Sequence, residues 1–508
     1  MYELLGAALV NIAHLKYLVP LIAGTLAGVI GGALPGVTIT MTIIVVLPFT
    51  FALDPLQGLA AMTGVYVGGS AGGLVTAVLL GIPGTPSAIA TTFDGHPMAR
   101  KGEPGRAIWL GVWASFCGGL LGGVFLIGAT EPLARIALEF GPWEFFSLFV
   151  LALSMVAGLV EASLLKGLIA GALGLIVTVL GADPVMGQER LTLGIPFLRG
   201  GVDFLPVLIG VFAFAQIMGE IERTGSAAQT SGALERGATL RVSHLKVLWE
   251  ILSRPFQLLW FAFVGVLIGV LPAIGGSAAS MMAYDQAKKI SRHPERFGTG
   301  TPEGIIASES SNNANVGGSL VTIMAFGIPG DAVTAVMLGA LTIHGIQSGP
   351  LFISQNPQLA YGIFAAYLLA HPIMVLILAL SARWMLRVVT VPKAALFPIV
   401  LVLCVIGAYA LNNTMSNVHV LLAFGVLGYA MVKFGFPLAP FILGVILGDQ
   451  IEINLVRSVM TDANPWLFIT RPISGGLLAA SVASIAFALW QRRRLQKKGA
   501  VPEDGADF

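Results

Sequence analysis

Residues 74–87 read Leu-Val-Thr-Ala-Val-Leu-Leu-Gly-Ile-Pro-Gly-Thr-Pro-Ser, and residues 320–333 read Leu-Val-Thr-Ile-Met-Ala-Phe-Gly-Ile-Pro-Gly-Asp-Ala-Val. The Leu-Val-Thr and Gly-Ile-Pro-Gly elements are equally spaced in both stretches. Upstream, Gly-Val-Ile-Gly-Gly-Ala-Leu-Pro over 28–35 resembles Gly-Val-Leu-Ile-Gly-Val-Leu-Pro over 265–272. Two separate blocks keep their register, which chance apolar similarity does not explain, so the sequence predicts an internal duplication.

The composition decides the class of protein. Of 508 residues, 56% are apolar and only 11% are charged, against about 25% charged in soluble domains. These values exclude a soluble domain, a disordered chain, a coiled coil and a collagenous rod. The formal net charge of +2 gives no support to nucleic-acid binding. The two cysteines, Cys117 and Cys404, lie far apart in apolar stretches and are interpreted as packed hydrophobic residues. A polytopic membrane protein remains.

The lengths of the charge-free runs predict the membrane spans, because a spanning helix needs about 20 mostly apolar residues. The long runs cover 17–53, 55–93, 107–130, 255–284, 310–330, 332–382, 394–432 and 472–491, and shorter ones cover 145–160, 167–182, 204–219 and 434–448. None alternates in the manner of a barrel strand. We therefore expect an all-α polytopic membrane protein with about eleven crossings, two helical hairpins and two inverted-topology repeats.

The duplication and the spans together divide the chain. The expected segments are an N-terminal segment 1–16, repeat 1 over 17–219 with a hairpin at 57–99, a cytoplasmic polar linker 220–254, repeat 2 over 255–448 with a hairpin at 303–347, a C-terminal membrane segment 449–491 and a cytoplasmic tail 492–508. An odd number of crossings between equivalent segments inverts the second repeat.

Basic residues in short loops predict the orientation. The tail, the loop around Arg100 and Lys101, and the linker are all expected on the cytoplasmic side. The loop 285–303 contains four Lys or Arg residues, yet the crossing count places it outside, which conflicts with the rule. On that count, cysteines at positions 103 and 293 are expected to be labelled from opposite sides.

The Gly-Ile-Pro-Gly segments predict helix breaks at mid-depth in the membrane, because proline cannot donate the helix hydrogen bond and glycine accepts unusual backbone angles. A packing kink is the alternative reading of each break. Two matched breaks beside matched Leu-Pro breaks favour a binding site instead. The candidate binding residues are Thr38, Thr40, Gly81, Pro83, Gly84, Thr85, Gly275, Gly276, Ser277, Asn312, Asn313, Gly327, Pro329, Gly330 and Asp331.

The chemistry of these breaks is polar and almost uncharged. Without lysine or arginine, an anion is expected to be held by helix N-termini, hydroxyls and amides, while freed carbonyls and Asn side chains suit a coupling cation, either Na⁺ or H⁺. Asp331 is equally consistent with a helix N-cap and with ion or proton binding. Glu309 is interpreted either as a loop-surface residue or as part of the site. No metal centre and no organic cofactor are expected.

Two longer motifs carry a family resemblance. Gly-Ile-Pro-Gly-Thr-Pro-Ser at 81–87 runs into Thr-Phe-Asp-Gly-His-Pro-Met-Ala-Arg-Lys-Gly at 92–102, and Glu-Ser-Ser-Asn-Asn-Ala-Asn at 309–315 precedes Gly-Ile-Pro-Gly-Asp at 327–331 and His-Gly-Ile-Gln-Ser-Gly-Pro at 344–350. This pattern resembles the large (TctA) subunit of bacterial tripartite tricarboxylate transporters over residues 15 to 490. Ser348 stands where the family pattern has proline, a small departure.

The resemblance implies a permease of the bacterial inner membrane that imports a tricarboxylate- or dicarboxylate-like solute by cation symport. It also implies two partners, a small membrane subunit (TctB-like) and a periplasmic solute-binding protein (TctC-like). The sequence has no phosphate-binding Gly-x-x-x-x-Gly-Lys-[Ser/Thr] loop, which agrees with transport driven by a cation gradient and not by ATP. The alternatives are a passive anion channel and an intramembrane aspartyl protease that uses Asp285 and Asp331. We expect no enzymatic activity.

Overall fold

The computed structural model describes residues 2–159, 164–183, 186–192, 194–224, 242–272, 274–388, 391 and 393–497. Residues 225–241 of the expected linker and 498–508 of the expected tail lie outside this part. The helices are α1 (Tyr2–Ile12), α2 (Leu15–Ala33), α3 (Ile39–Thr50), α4 (Pro55–Leu80), α5 (Ile89–Arg100), α6 (Pro104–Leu138), α7 (Pro142–Leu159), α8 (Leu164–Thr178), α9 (Phe204–Leu208), α10 (Ala215–Thr224) and α11 (His244–Leu252). They continue with α12 (Pro255–Val270), α13 (Gly275–Ile290), α14 (Pro302–Phe326), α15 (Ala332–Ile343), α16 (Phe352–Gln355), α17 (Pro357–Val388), α18 (Lys393–Asn412), α19 (Met415–Lys433), α20 (Leu438–Thr461), α21 (Leu467–Thr470) and α22 (Pro472–Lys497).

Apart from these α-helices, the described chain contains only a few short regular elements. Short 3₁₀ turns cover Pro86–Ala88, Pro196–Gly200 and Pro294–Arg296, a π-helical turn (Ile209–Phe214) joins α9 to α10, and two-residue strands β1 (Gly181–Ala182) and β2 (Glu189–Arg190) pair antiparallel. Among the described residues, nine helices are long and apolar enough to cross a membrane. The predicted class, an all-α polytopic membrane protein, is confirmed.

The chain forms two compact units. Unit 1 comprises Met1–Ala137 and Phe212–Leu421, and unit 2 comprises Leu138–Val211 and Leu422–Phe508. Both Gly-Ile-Pro-Gly segments and both Leu-Pro breaks lie in unit 1. Within unit 2, α8 packs on α20 so closely that a Cβ at Gly174 would overlap the carbonyl of Phe441. In the same unit, the two terminal guanidinium nitrogens of Arg190 donate to the two carboxylate oxygens of Glu452 at 2.5 and 2.9 Å.

The helix packing of unit 1 shows the same duplication as the sequence. Helix α2 lies on α4 in repeat 1, and α12 lies on α14 in repeat 2, through glycines that meet a facing backbone carbonyl. The equivalent contacts are Gly28 on Val65 and Gly265 on Ser311, Gly32 on Gly69 and Gly269 on Asn315, and Gly72 on Val29 and Gly318 on Val266. Each pair is related by the sequence offsets of the two blocks. Glycine allows this close approach, and small residues are the usual means of packing helices in lipid.

The chain reverses direction at the Leu-Pro breaks. Along α2, Gly24, Gly28 and Gly32 meet successively later residues of α4, so the two helices run parallel. Helix α3 returns antiparallel to α4, because Ile39 lies beside Gly69 while Thr50 lies beside Gly58. Segment 15–50 is therefore a hairpin.

Repeat 2 has the same arrangement over 255–290. Helix α12 runs parallel to α14, as the glycine contacts show. Helix α13 runs antiparallel to α14, since Ser311 donates to the carbonyl of Ala279 near its start and Gly304 meets Tyr284 near its end.

The Gly-Ile-Pro-Gly segments are breaks without a reversal, which differs from the hairpins expected at 57–99 and 303–347. After α4 the chain steps back, so that the amide of Gly84 donates to the carbonyl of Gly73 at 3.3 Å. Helix α5 then runs parallel to α4, with His96 Nδ1 at 3.1 Å from the carbonyl of Val78. The left-handed backbone at Gly81 (φ 68°) and Gly327 (φ 72°) ends the two helices, as expected for a glycine C-cap.

The loop that conflicted with the charge rule lies beside the other basic loops of unit 1. Lys101 Nζ donates to the carbonyl of Thr299 at 2.6 Å, and Arg254 pairs with Glu303 at 3.2 Å. Segments 98–106, 244–254 and 285–303 thus share one face of the protein, and the conflict disappears. The sequence alone left the sidedness of 285–303 unresolved, and the shared face agrees with the charge rule. The repeats are still inverted, because the repeat 2 hairpin enters from this face and the repeat 1 hairpin enters from the opposite one.

Site-directed labelling tests this sidedness. Single cysteines in place of Glu103 and His293, in a chain without Cys117 and Cys404, are expected to react with an impermeant maleimide from the same side of sealed vesicles. A cysteine in place of the exposed Ala52, at the end of the repeat 1 hairpin, should react from the other side. Labelling of positions 103 and 293 from opposite sides would contradict the arrangement.

Candidate functional site

The breaks of the two repeats meet at one cavity of about 190 Å³. This volume is an order of magnitude above the roughly 10–15 Å³ that a single water needs, so a solute of several atoms fits. The wall comes from equivalent positions of the two repeats. Its residues are Thr38, Ile39, Thr40, Tyr66, Ser70, Thr85, Pro86, Ser87, Ile274, Gly275, Gly276, Ser277, Asn312, Asn315, Asp331, Ala332 and Val333.

Eight of the predicted site residues lie in this wall, and the others lie behind it. The lining set is Thr38, Thr40, Thr85, Gly275, Gly276, Ser277, Asn312 and Asp331. The residues Gly81, Pro83, Gly84, Asn313, Gly327, Pro329 and Gly330 do not line the cavity. The first group therefore offers contacts to a solute, while the second group shapes the backbone around it.

Gly84 and Gly330 hold the breaks against the hairpins. A Cβ at Gly84 would overlap the carbonyl oxygen of Gly32 and come within 2.6 Å of Thr76 Oγ1. A Cβ at Gly330 would lie 2.5 Å from the carbonyl oxygen of Gly269 and 2.6 Å from Ser319 Cα. These contacts join each Gly-Ile-Pro-Gly segment to the hairpin of its own repeat.

Helix N-termini converge on the cavity. Helix α3 begins after Thr38, whose hydroxyl accepts from the amide of Met41 at 3.2 Å. Helix α13 begins at Gly275, where φ is 74°, and α15 begins after Asp331. A helix N-terminus presents free N–H groups and a partial positive charge. Three α-helices and the Pro86–Ala88 turn start in the wall, so the cavity favours an anion although its described lining has no lysine or arginine.

Asp331 is the N-cap of α15 and also lines the cavity. It caps α15 in a capping box, because its Oδ1 accepts from the amide of Thr334 at 2.9 Å and its own amide donates to the Thr334 hydroxyl at 2.9 Å. Its other carboxylate oxygen accepts a hydrogen bond from the Tyr66 hydroxyl of the opposite repeat. Asp331 is thus an N-cap that also faces the cavity and joins the two repeats.

Two amides supply further polar atoms on the repeat 2 side. Asn312 donates through Nδ2 to the carbonyl of Ser70 at 2.8 Å, which leaves its oxygen beside Gly276. The Oδ1 atom of Asn315 is buried and has no hydrogen-bond partner in the described part of the protein. Amide and carboxylate oxygens are ligands of hard cations such as Na⁺. No group of three His, Cys, Asp or Glu side chains that could hold a transition metal occurs among the described residues.

Sequence reasoning missed Tyr66, whereas Asn315 belongs to the polar motif at 309–315 that precedes the second break. Tyr66 stands at the position equivalent to Asn312 under the offset of the second block, and Asn315 is equivalent to Gly69. Applying the offset to every candidate would have identified Tyr66. The apolar lining residues, such as Ile274 and Val333, had no signal in the sequence because they are ordinary membrane-helix residues.

Inverted repeats that place helix breaks around one polar cavity are an architecture found in membrane transporters. The description "Tripartite tricarboxylate transporter TctA family" belongs to a family model that matches residues 18–443. The chain therefore belongs to this family, which is a family of membrane transporter components and not of enzymes.

Similar proteins occur in Agrobacterium vitis. One, described as "Uncharacterized 52.8 kDa protein in TAR-I ttuC' 3'region", is 35% identical over 485 residues, which cover 95% of each chain. Another, described as "Uncharacterized protein in TAR-II ttuC' 3'region", is 34% identical over 242 residues, which cover 47% of this chain and all of that one. No solved structure matches the chain.

Proposed function

We propose that this chain is the permease subunit of a tripartite, binding-protein-dependent secondary transporter that imports a carboxylate by cation symport across the bacterial inner membrane. The observation that carries the proposal is the cavity between the inverted repeats, whose wall combines helix N-termini with a partly buried carboxylate and amide oxygens. The family supports a tricarboxylate- or dicarboxylate-like substrate.

The charge balance of the cavity favours co-binding of an anion and a cation. An isolated ion is costly at this depth in a membrane protein. Helix N-termini, with the hydroxyls of Thr38, Thr40, Thr85 and Ser277, suit carboxylate oxygens. Asp331 with the amide oxygens of Asn312 and Asn315 suits Na⁺ or H⁺, so each ion lowers the cost of burying the other. This balance supports symport, because the anion enters a site that already contains an acidic group.

The proposed partners are a small membrane subunit (TctB-like) and a periplasmic solute-binding protein (TctC-like). In this arrangement the binding protein selects the carboxylate and delivers it to the permease. The described permease cavity needs only moderate selectivity of its own, which agrees with a lining of backbone and hydroxyl groups without a bidentate arginine.

Uptake in cells tests the proposal. Cells that express this chain with both partners are expected to accumulate radiolabelled citrate or a C4-dicarboxylate, because coupling to a cation gradient drives transport uphill. The measurement is initial uptake with and without ionophores that collapse the Na⁺ or proton gradient. Uptake that follows the ATP level at constant ion gradients would contradict symport, and uptake that only equilibrates would indicate a passive channel.

The intramembrane protease alternative requires Asp285 and Asp331 to lie at one site. Asp285 forms an ion pair with Lys289 one turn away, and its side chain is 58% exposed, whereas Asp331 lines the cavity and bonds to Tyr66. A catalytic pair of aspartates shares one site, and this geometry does not bring Asp285 to Asp331.

A further inference from the structure

Glu309 is a buried carboxylate without a basic partner among the described residues. Three acidic side chains of the described chain are buried: Asp94, Glu144 and Glu309, with exposures of 0%, 2% and 0%. Glu144 pairs with Arg471 at 2.5 Å. Asp94 accepts from three backbone amides, of Gly298, Gly300 and Thr301, and from the Tyr284 hydroxyl. Glu309 receives only two hydroxyls, so its negative charge is the least compensated of the three.

The two hydroxyls come from helices packed against α14. Thr91 of α5 donates to Glu309 Oε1 at 2.5 Å, and Ser115 of α6 donates to Glu309 Oε2 at 2.9 Å. Thr91 Oγ1 also lies 3.0 Å from Ser308 Oγ. Unlike a backbone N–H, a hydroxyl can either donate or accept. The partners of Glu309 can therefore reverse their roles without moving any heavy atom.

Both protonation states can be satisfied by this network. When Glu309 is ionised, Thr91 and Ser115 both donate to it. When Glu309 is protonated at Oε1, it donates to Thr91 Oγ1, and Thr91 turns its own proton to Ser308 Oγ, which continues to donate to the carbonyl of Ile305 at 3.1 Å. Ser115 donates to Oε2 in both states. One proton is added, and every buried donor keeps an acceptor.

The position of Glu309 links it to the cavity. It lies one helical turn before Asn312, and its partner Thr91 lies one turn after Ser87; both Asn312 and Ser87 line the cavity. Farther along α5, Asp94 receives the amides of loop 298–301 at the face that carries the basic loops. Glu309 thus stands between the cavity and that face.

We propose that Glu309 is a proton-binding site of this permease and that its protonation accompanies solute binding one helical turn away. The coupling half of this statement rests on the proposed transport function, whereas proton binding itself does not. Thr91, Ser115 and Ser308 are positioning residues that stabilise both states.

Most of the other titratable groups on the elements around α14 have partners of their own, although the Nε2 atom of the buried His371 has none among the described residues. They are Asp94 with Tyr284, His96 with the carbonyl of Val78, Lys101 with the carbonyl of Thr299, Arg106 with Glu103 and Glu250, Tyr66 with Asp331, Asp285 with Lys289, Glu303 with Arg254, Tyr367 with the carbonyl of Gly119, and His371 with the carbonyl of Tyr367. Lys288 lies near the exposed end of α13. The direct partners of Glu309 are hydroxyls, so its titration is expected to be separable from theirs.

Infrared spectroscopy of the full chain in liposomes tests proton binding directly. The wild-type protein is expected to show a protonated-carboxyl band that disappears as the pH is raised, and Glu309→Gln should lose this band. Glu103→Gln, which changes a half-exposed carboxylate paired with Arg106, is the matched control and should keep it. A band that persists unchanged in Glu309→Gln, or a wild-type protein without one, would overturn the proposal.

A second variant covers the case in which Glu309→Gln does not fold. Ser115→Ala removes a donor that bonds more strongly to the ionised carboxylate than to the protonated one, so the titration should move to higher pH by up to about one unit. An unchanged titration in Ser115→Ala would contradict the assigned network.

Transport measurements separate the two halves of the proposal. A gradient of one pH unit supports about tenfold accumulation per coupled proton. The wild-type system should show this dependence, and Glu309→Gln should lose it while it still exchanges labelled for unlabelled substrate. If the wild-type band titrates but no carboxylate is transported, the proposed function fails and the proton site stands. If wild-type accumulation ignores the pH gradient, coupling through Glu309 is wrong.

Discussion

Gly84→Ala and Gly330→Ala are each expected to reduce carboxylate uptake by roughly ten- to hundredfold. The added Cβ would overlap the hairpin carbonyl of Gly32 or Gly269 and press on the preceding helix. Overpacking of this kind costs about 1–3 kcal/mol, and each 1.4 kcal/mol is about a factor of ten in a population or an affinity. The break must then move away from the hairpin, and the lining residues that follow it, Thr85 and Asp331, move with it.

Gly128→Ala is the matched control for these variants. Gly128 lies within α6, and a Cβ there would meet nothing within 4 Å, so both uptake and membrane insertion should remain at wild-type levels. Insertion of all three variants is measured by quantifying the chain in isolated membranes. If the Gly84→Ala and Gly330→Ala variants are present at wild-type levels in the membrane and transport normally, the close contact between break and hairpin is not required for transport.

Asp331→Asn is expected to weaken cation-dependent substrate binding by roughly ten- to hundredfold, since a hydrogen bond or contact to a charged group contributes about 1.5–3 kcal/mol. Asparagine is as good an N-cap as aspartate, so α15 should keep its start and the protein should keep its abundance. The substitution removes the charge that faces the cavity and leaves the Tyr66 hydroxyl with a neutral partner. The measurement is the half-saturating concentration of substrate at several Na⁺ concentrations and pH values.

Asp54→Asn is the control that distinguishes the effect of losing a charge in the cavity from the effect of changing a helix cap. Asp54 starts α4 with a capping box, as Asp331 starts α15, but Asp54 pairs with Lys16 outside the cavity. Its neutralisation should leave the cation dependence of transport unchanged. Equal losses in the two variants would mean that Asp331 acts only as a helix cap, and the cation role would be withdrawn.

The duplication was predictable because the spacing of its motifs is not reproduced by chance apolar similarity, and the class of protein followed from the lengths of the charge-free runs. The position of the hairpins was not predictable. A proline and two glycines at 81–84 predict where a helix ends, but the direction of the chain afterwards depends on which face packs where. That direction is fixed by tertiary contacts with α4, those of Gly84 with Gly73 and of His96 with Val78, which single-sequence patterns do not show.

The site was predictable where it coincides with the breaks. Thr38, Gly275 and Asp331 follow directly from the matched motifs, because the chain near a break must expose backbone N–H groups. Tyr66 lies within an uninterrupted helix, so no local feature distinguishes it from packing residues, whereas Asn315 belongs to the polar motif at 309–315. Asp331 had two interpretations in the sequence, and the structure shows that the cap and the position in the cavity wall coexist, because the two carboxylate oxygens have different partners.

The glycine-on-carbonyl contacts of α2 with α4 and of α12 with α14 have a thermodynamic consequence. Glycine normally lowers helix stability because its backbone loses the most freedom on ordering, but a membrane segment is already helical before its helices associate. That loss has therefore occurred by the time these helices dock. Glycine has no rotamers to freeze, so docking along these faces carries almost no further entropy penalty. The scaffold that fixes the walls of the cavity can thus be rigid without large interlocking side chains.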